Sequence, residues 1–370
     1  MRQKCLFVLL LMIAVFLVSC GGDDDDNDDN DDNTTPDDDD NDDNTTPDDD
    51  DNDDDDITPD DDTQPDDDTI IDDDTFIDDD TFVDDDTFVD DDTFVDDDTF
   101  VDDDTGDDDT APETLTVLTV NLQNPFFNML FLDERTQIVA DLILEHQPDF
   151  VALQEAAEML LVENRAEVLA ELTGYNWVWK KTHEIPLIFT EGIGILSPYT
   201  IIWEDSVELP HPELLGIVNR RTLGVRVDAP LGELQFFCTH MSVSDDEEDK
   251  ADQALTAYQF IGANPSPWPA FFGGDFNAKP DTLGMRFLRG EASHQGVTGD
   301  LLDSWLELYP GDPGYTYPAK DPEKRIDYMY VIQGAEHDAV PVSCERVLTE
   351  PVGLIWASDH VALLCRYQLD

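Results

Sequence analysis

Positive charge is what this chain has least of. Its 370 residues hold 18 lysines and arginines against 90 aspartates and glutamates, a formal net charge of −72. From Gly21 to Thr110 there is no basic residue, and beyond it no basic run longer than Arg220-Arg221. A protein that grips a polyanion by displacing its counterions shows a basic face. The scarcity therefore weighs against DNA or RNA as the main substrate, unless a metal ion carries the phosphate contact. Apolar runs of spanning length are missing too. Leu6–Val18 has 13 apolar residues, where a bilayer takes about 20. Cysteine is sparse, with Cys238, Cys344 and Cys365 the three beyond the acidic stretch. An oxidising exterior permits a disulfide. Cys344 and Cys365 fall on what read as the last two strands and are the expected pair, leaving Cys238 buried.

The apolar run follows Arg2 and Lys4 and reads as the core of a signal peptide, Met1–Ser19. Its end, Leu17-Val18-Ser19-Cys20-Gly21, resembles the lipobox of bacterial lipoproteins. That resemblance implies cleavage before Cys20 and its acylation, hence a membrane partner through an N-terminal lipid anchor. Gly21 in place of aspartate favours the outer membrane by the sorting rule of enteric bacteria, so the expected location is the cell envelope, at the outer membrane or cell surface. Residues 20–110 are low-complexity: Asn30–Asp40 repeats at Asn41–Asp51, and Thr-Phe-Val-Asp-Asp-Asp recurs from Thr81 to Asp104. With 49 acidic residues and no basic one, this stretch repels itself and cannot bury enough apolar surface to fold. It is expected to be a disordered acidic linker, reaching about 300 Å at full stretch. Calcium binding by the Asp triplets is the rival reading, but they lack the glycine and alternating spacing of calcium loops.

Residues 111–370 are expected to form one domain, with 41 acidic and 16 basic residues and a net charge of −25. Alternation over Thr114–Asn121 predicts a strand, and the apolar spacing of Ile138, Val139, Leu142 and Ile143 predicts a helix over Arg135–His146. A short strand, Asp149–Leu153, and a helix over Ala156–Leu172 follow. Strands are expected at Trp177–Lys180, Gly192–Leu196, Thr200–Glu204, Thr222–Asp228 and Leu234–Thr239, the last two joined as a hairpin by Pro230-Leu231-Gly232. A helix is expected over Asp245–Ile261. Beyond a loop-rich region, strands are predicted at Arg325–Ile332, Ala339–Leu348 and His360–Tyr367. The mixture suggests two sheets packed face to face with helices outside.

Polar residues recur where these strands end: Asn121, Glu155, His240, Asp275, Asn277, Asp327, Asp359 and His360. Each has a plain structural reading. Asn121 caps a turn, Glu155 starts a helix, Asp327 pairs with Arg325, and Gly-Gly-Asp-Phe-Asn at 273–277 is an Asx-rich turn. If that last segment stays extended, Asp275 and Asn277 share a face while Phe276 points into the core. Taken together, such residues gather along one edge of a sandwich, where sites are built.

Seven of these stretches occur in the order of the endonuclease/exonuclease/phosphatase superfamily: Thr119-Val120-Asn121, Leu153-Gln154-Glu155, Gly192–Ser197, Cys238-Thr239-His240, Gly273–Asn277, Arg325–Tyr328 and Ser358-Asp359-His360. The chain from Leu115 to Tyr367 resembles that superfamily, most nearly its sphingomyelinase and inositol-phosphatase branch. The resemblance implies a four-layer α/β sandwich of two packed mixed sheets flanked by helices. It implies a hydrolase of phosphoester bonds, phosphodiesterase or phosphatase, using magnesium, with manganese as the alternative ion. By the same resemblance Glu155 binds the metal, with Asn121 and Asp359 beside it. Asp275 orients and deprotonates the attacking water. Asn277 fixes that carboxylate and, with Asn121, His240 and His360, holds the phosphoryl oxygens. Asp327 sets the tautomer of His360, Asp359 serves the metal or orients His240, and Arg220 or Arg221 contacts the phosphate.

Family nucleases often carry a basic residue shortly after Gln-Glu, whereas Ala156-Ala157-Glu158 stands here. A phospholipid or small phosphoester is therefore expected ahead of nucleic acid, in a monomeric protein. An extracellular DNase-like endonuclease is the alternative, and a non-catalytic surface-displayed binding lipoprotein is the alternative of another class. Asn264–Pro269 (NPSPWP) either touches lipid through Trp268 or forms a rigid connector, which its prolines favour.

Overall fold

The computed structural model describes residues 113–126, 128–213 and 218–370. The expected signal peptide, the Cys20 lipidation site and the acidic linker lie outside them. In chain order the elements are β1 (Thr114–Asn121), α1 (Leu132–His146), β2 (Phe150–Met159), α2 (Arg165–Thr173), β3 (Asn176–Ile185), β4 (Phe189–Ser197), β5 (Thr200–Glu208), β6 (Arg221–Ala229) and β7 (Gly232–His240). There follow α3 (Glu247–Gly262), β8 (Ala270–Asp275), α4 (Leu283–Leu288), β9 (Ser293–His294), β10 (Val297–Thr298), β11 (Leu302–Asp303), α5 (Ser304–Leu308), β12 (Asp327–Ile332), β13 (Ala339–Val347) and β14 (Ala362–Leu369).

Two six-stranded sheets result, ordered β13-β14-β1-β2-β4-β3 and β11-β12-β8-β7-β6-β5. Their inner faces meet through Phe150, Ile193, Ile195, Phe236, Phe271 and Tyr367. Helices α1 and α2 cover the outer face of the first sheet with Val139, Ile143 and Leu169. Helices α3 and α4 cover the second with Ala254, Leu255, Ile261 and Met285. This is the expected four-layer sandwich. Each sheet contains one parallel pair, β1 with β2 and β7 with β8. A parallel pair needs a crossover, which α1 and α3 supply. Parallel pairing also puts the C-terminal ends of both partners on the same edge, and that fact locates everything that follows.

Three expectations need correction. Ala156–Met159 belongs to β2 rather than to a helix, because Ala156, Ala157 and Glu158 pair with Gly192, Glu191 and Thr190 of β4. Tertiary pairing outweighs the helical propensity of these alanines and glutamate. Helix α2 begins only where Asn164 caps it, accepting from Ala166 N. The loop-rich region contains α4, α5 and the β9–β10 hairpin, each too short to give a periodic signal. At 273–277 the chain does not stay extended: β8 ends at Asp275 and Asn277 turns left-handed at φ 49°. Phe276 is nonetheless fully buried. Cys344 and Cys365 form a disulfide between β13 and β14, and Cys238 is free and buried.

Candidate active site

Register brings the polar residues together. In the second sheet Arg221 is the partner of His240, His240 of Asp275, and Asp275 of Asp327. Four adjacent strands thus present one edge carrying Arg220, His240, Asp275 and Asp327. Along the same edge of the first sheet lie His360, just ahead of β14, then Asn121, Glu155 and Glu191 on β1, β2 and β4. The sheets face one another, so the two rows meet.

Asp275 is where they meet. Its Oδ2 accepts from Asn121 Nδ2 at 3.0 Å and faces His240 Nε2 at 3.5 Å and His360 Nε2 at 3.8 Å. Its Oδ1 accepts the backbone N–H of Asn277 at 2.9 Å. So the Asx turn and the functional carboxylate are the same structure. Asn277 fixes the carboxylate through its backbone, while its side-chain Nδ2 donates to Met241 O. Glycine at 274 is what lets β8 approach β7 here, for at φ 150° an added Cβ would lie 2.1 Å from Thr239 O.

Glu155 is aimed by a β-bulge. The β2–β4 register shifts between Leu153 and Ala156, and Glu155 adopts φ 55°. Bulges beside active sites re-aim a side chain in this way. Its Oε1 accepts from Asn121 Nδ2 at 3.1 Å and its Oε2 from the N–H of Asn124 at 2.6 Å. Asn124 Nδ2 in turn donates to Glu191 Oε2. Arg135 of α1 secures the loop after β1 by donating to the carbonyls of Leu122, Gln123, Asn128 and Ala357.

The charges sort by environment. Burial pushes the Glu155 carboxyl up to about 7, with the charges of Glu191 and Asp359 adding to it. Burial likewise raises Asp275 to about 7, against the opposing charge of His360. For His360 burial opposes the cation, but Asp327 and Asp275 outweigh it and hold the ring well above the ordinary histidine range. Its Nδ1 donates to Asp327 Oδ2 at 3.0 Å, so Asp327 pairs with His360 while Arg325 pairs with Asp303. His240 is pushed the other way, well below the histidine range, by burial and then by the charge of Arg220. Arg220 Nη1 lies 3.0 and 3.1 Å from its two ring nitrogens. A guanidinium only donates, so the neutral ring accepts from Arg220 on one nitrogen and carries its hydrogen on the other.

Of the two arginines left open by sequence, Arg220 is at the site, whereas Arg221 points out to Glu208 and Ser206. The groups against His240 are Arg220 and Asp275 rather than Asp359. Sequence reasoning missed Asn124, Glu191 and Lys250, whose Nζ donates to Asn277 O. None carries a motif of its own; each is visible only once β4 and α3 are placed.

The donor set suits a hard divalent cation at one pole. Glu155 and Asp359 offer carboxylate oxygens and Asn121 an amide oxygen that also accepts the Gln123 N–H, and Glu191 and Asp359 add negative charge around a Glu155 carboxyl raised chiefly by burial. Asp275, Asp327 and His360 also converge, with ligand atoms within 4.8 Å of one another. With His360 protonated, its imidazolium is the cation between the two carboxylates of that cluster.

Comparison with known proteins agrees with this fold. The family model for the endonuclease/exonuclease/phosphatase family matches residues 118–360. No curated protein matches the chain. Among solved structures, D. rerio TDP2 complexed with single strand DNA product is similar at 17% identity and TM-score 0.56, covering 69% of this chain and 99% of its own. A family protein from Leptotrichia buccalis is 19% identical, TM-score 0.56, covering 69% and 99%. The human Nocturnin catalytic domain with bound sulfate is 18% identical, TM-score 0.55, covering 70% and 95%. With the family model spanning well over half its length, this chain belongs to the endonuclease/exonuclease/phosphatase family and is a hydrolase of phosphoester bonds.

Proposed function

We propose that this is a magnesium-dependent phosphoester hydrolase of the cell envelope that cleaves phospholipid or small phosphoesters by direct attack of water. The observation carrying it is Asp275, a buried carboxylate fixed by two N–H donors with an imidazole on either side of its Oδ2. A carboxyl raised to about 7 is matched to removing a proton from water near neutral pH. Asn121 and the Asn277 N–H hold it in place for that transfer. His360, charged and braced by Asp327, keeps its Nε2–H for a phosphoryl oxygen as negative charge builds. His240, neutral and backed by Arg220, adds a second polar ring to the same point. Glu155, Asn121 and Asp359 would hold the divalent ion, which when bound neutralises phosphate charge as a Lewis acid.

The domain's charge of −25 favours lipid or small phosphoesters over polynucleotides. The expected leader Met1–Ser19, followed by the lipobox cysteine Cys20, supports anchoring at the outer membrane or cell surface, and manganese is the alternative ion. The test is hydrolysis by the full chain of bis-p-nitrophenyl phosphate, phosphatidylcholine, inositol phosphates and single-stranded DNA. Activity should vanish in EDTA and return with Mg2+. Turnover indifferent to chelation would remove the metal from the reading.

A further inference from the structure

The imidazole of His360 and the carboxylate of Asp327 meet from different sheets. Asp327 opens β12 of the second sheet, whereas His360 stands just ahead of β14 of the first. Strand pairing orders each sheet internally, so the distance between these two groups has to be set across the sheets. The segment between α5 and β12 reaches both. Thr316, fully buried, lies where three stretches of the site come together. Its Oγ1 accepts the N–H of Ile326 and that of Asp327, each at 3.2 Å. Its carbonyl accepts the N–H of Val361, next to His360, at 2.7 Å. Ile326 in turn gives its carbonyl to the N–H of Phe276, next to Asp275, at 2.9 Å. One threonine is thus bonded to both sheets and, through Ile326, to the end of β8. The residues after it continue the contact. The ring of Tyr317 lies 4.8 Å from that of His360, and Ala319 donates its N–H to Asp359 O at 2.7 Å.

Closing the loop does not require the hydroxyl. The N–H groups of Thr316 and Tyr317 both donate to Lys324 O, and Lys324 N donates back to Tyr317 O at 2.9 Å, so backbone bonds shut the turn. The hydroxyl and carbonyl of Thr316 are directed instead at the stretches that carry Asp327 and His360. Two lone pairs on one oxygen suit two N–H donors. Valine has the same shape but no acceptor, and it would leave two buried N–H groups bare. A buried donor without a partner carries its full desolvation cost, so the backbone at 326–327 would move to find another oxygen. Such a movement is felt at the 3.0 Å bond from His360 Nδ1 to Asp327 Oδ2. Catalytic geometry tolerates about 0.5 Å, and a misplacement of about 1 Å costs on the order of 10²-fold in rate.

We propose that Thr316 is a positioning residue for the hydrolysis: it holds Asp327 of one sheet against His360 of the other, so that His360 Nε2 stays aimed at Asp275 Oδ2. The proposal rests on the phosphoester-hydrolase reading of the site, and adds to it a residue that acts only through its neighbours.

The test compares Thr316→Val with Thr316→Ser in the full chain, on bis-p-nitrophenyl phosphate with Mg2+. Thr316→Val should lose at least about tenfold in kcat with KM within about twofold, and Thr316→Ser, which keeps the acceptor, should stay within about threefold of wild type. The proton that His360 Nδ1 donates to Asp327 should give a downfield NMR signal in wild type and Thr316→Ser that is shifted or lost in Thr316→Val. Trp268→Ala, a destabilised variant at the start of β7 rather than at the site, should keep both that signal and kcat. Wild-type kcat in Thr316→Val, an unmoved signal, or an equal loss in Thr316→Ser would overturn this proposal alone. Should Thr316→Val not fold, amide exchange in wild type decides. The N–H groups of Ile326, Asp327 and Val361 should be protected as well as those inside β12, and rapid exchange at any of them would overturn the proposal. A wild type inactive on every phosphoester would overturn the hydrolase reading beneath it, and the positioning role with it.

Discussion

The two edges of the sandwich are built to opposite rules. At the edge remote from the site, Trp268 stacks on His337 at 3.8 Å and fills the space over Gly232, where a Cβ would lie 2.3 Å from its ring. Ala335, Glu336 and His337 donate to the carbonyls of Ser266 and Pro267, so the proline-rich connector is clamped. At the active edge charges are buried and leucines exposed, and Glu155 and Asn277 hold left-handed backbone. One edge satisfies its groups; the other keeps strain and unbalanced charge, which persist only where the surroundings impose them. The rigid-connector reading of Asn264–Pro269 therefore stands, and its Trp268 lies away from the edge where a substrate would bind.

That contrast can be broken from either side. The largest expected effect is at the active edge: Asp275→Asn or His360→Ala should lower kcat on bis-p-nitrophenyl phosphate by about 10³-fold or more, with the circular dichroism spectrum unchanged. Wild-type-like turnover in either would remove the assigned roles. Arg220→Met comes next. It leaves Glu213 and Glu191 without their buried counter-ion, so a loss of about 3–5 kcal/mol in urea unfolding is expected together with reduced kcat. At the remote edge Trp268→Ala should cost about 2–3 kcal/mol, discounted because the ring is only half-buried, yet leave kcat within about twofold. A kinetic effect as large as the stability effect would mean that the edges are not separate.

The smallest expected effect is a shift of melting temperature with pH. Glu155 and Asp275, raised to about 7, bind more protons folded than unfolded. Their contribution is full below the ordinary carboxyl pKa of about 4 and is lost as pH rises toward 7. The high pKa of His360 acts in the same direction at higher pH, and the depressed pKa of His240 acts oppositely, losing stability as pH falls. Mg2+ offsets ionised carboxylates and not protonated ones. It should therefore raise the melting temperature by a few degrees at pH 8 and scarcely at pH 5; calorimetry showing equal shifts would count against Glu155 as a ligand.

Much of this was legible in the sequence, for a physical reason. Asn121, His240, Asp275 and Asp327 each end or begin a strand, where alternation stops and a lone polar residue stands out. Glu191 is hidden inside β4, flanked by Thr190 and Gly192, and reads as an ordinary strand residue until Asn124 reaches it. Arg220 and Arg221 are indistinguishable by composition; only strand register turns one inward. The helix expected over Ala156–Leu172 holds only from Arg165, because propensity is local, whereas the partner of Ala156 is Gly192, across the sheet. That error concealed the extended β2.

Strand β14 lies between β13 and β1, although it comes last in chain order among the described elements. β8 and β12 pair within the second sheet, whereas one side of β1 depends on β14 and Asp327 depends on His360 for its imidazole. The pairing of β14 with β1 thus holds together the two halves of the site, since His360 stands just ahead of β14 and Asp275 ends β8.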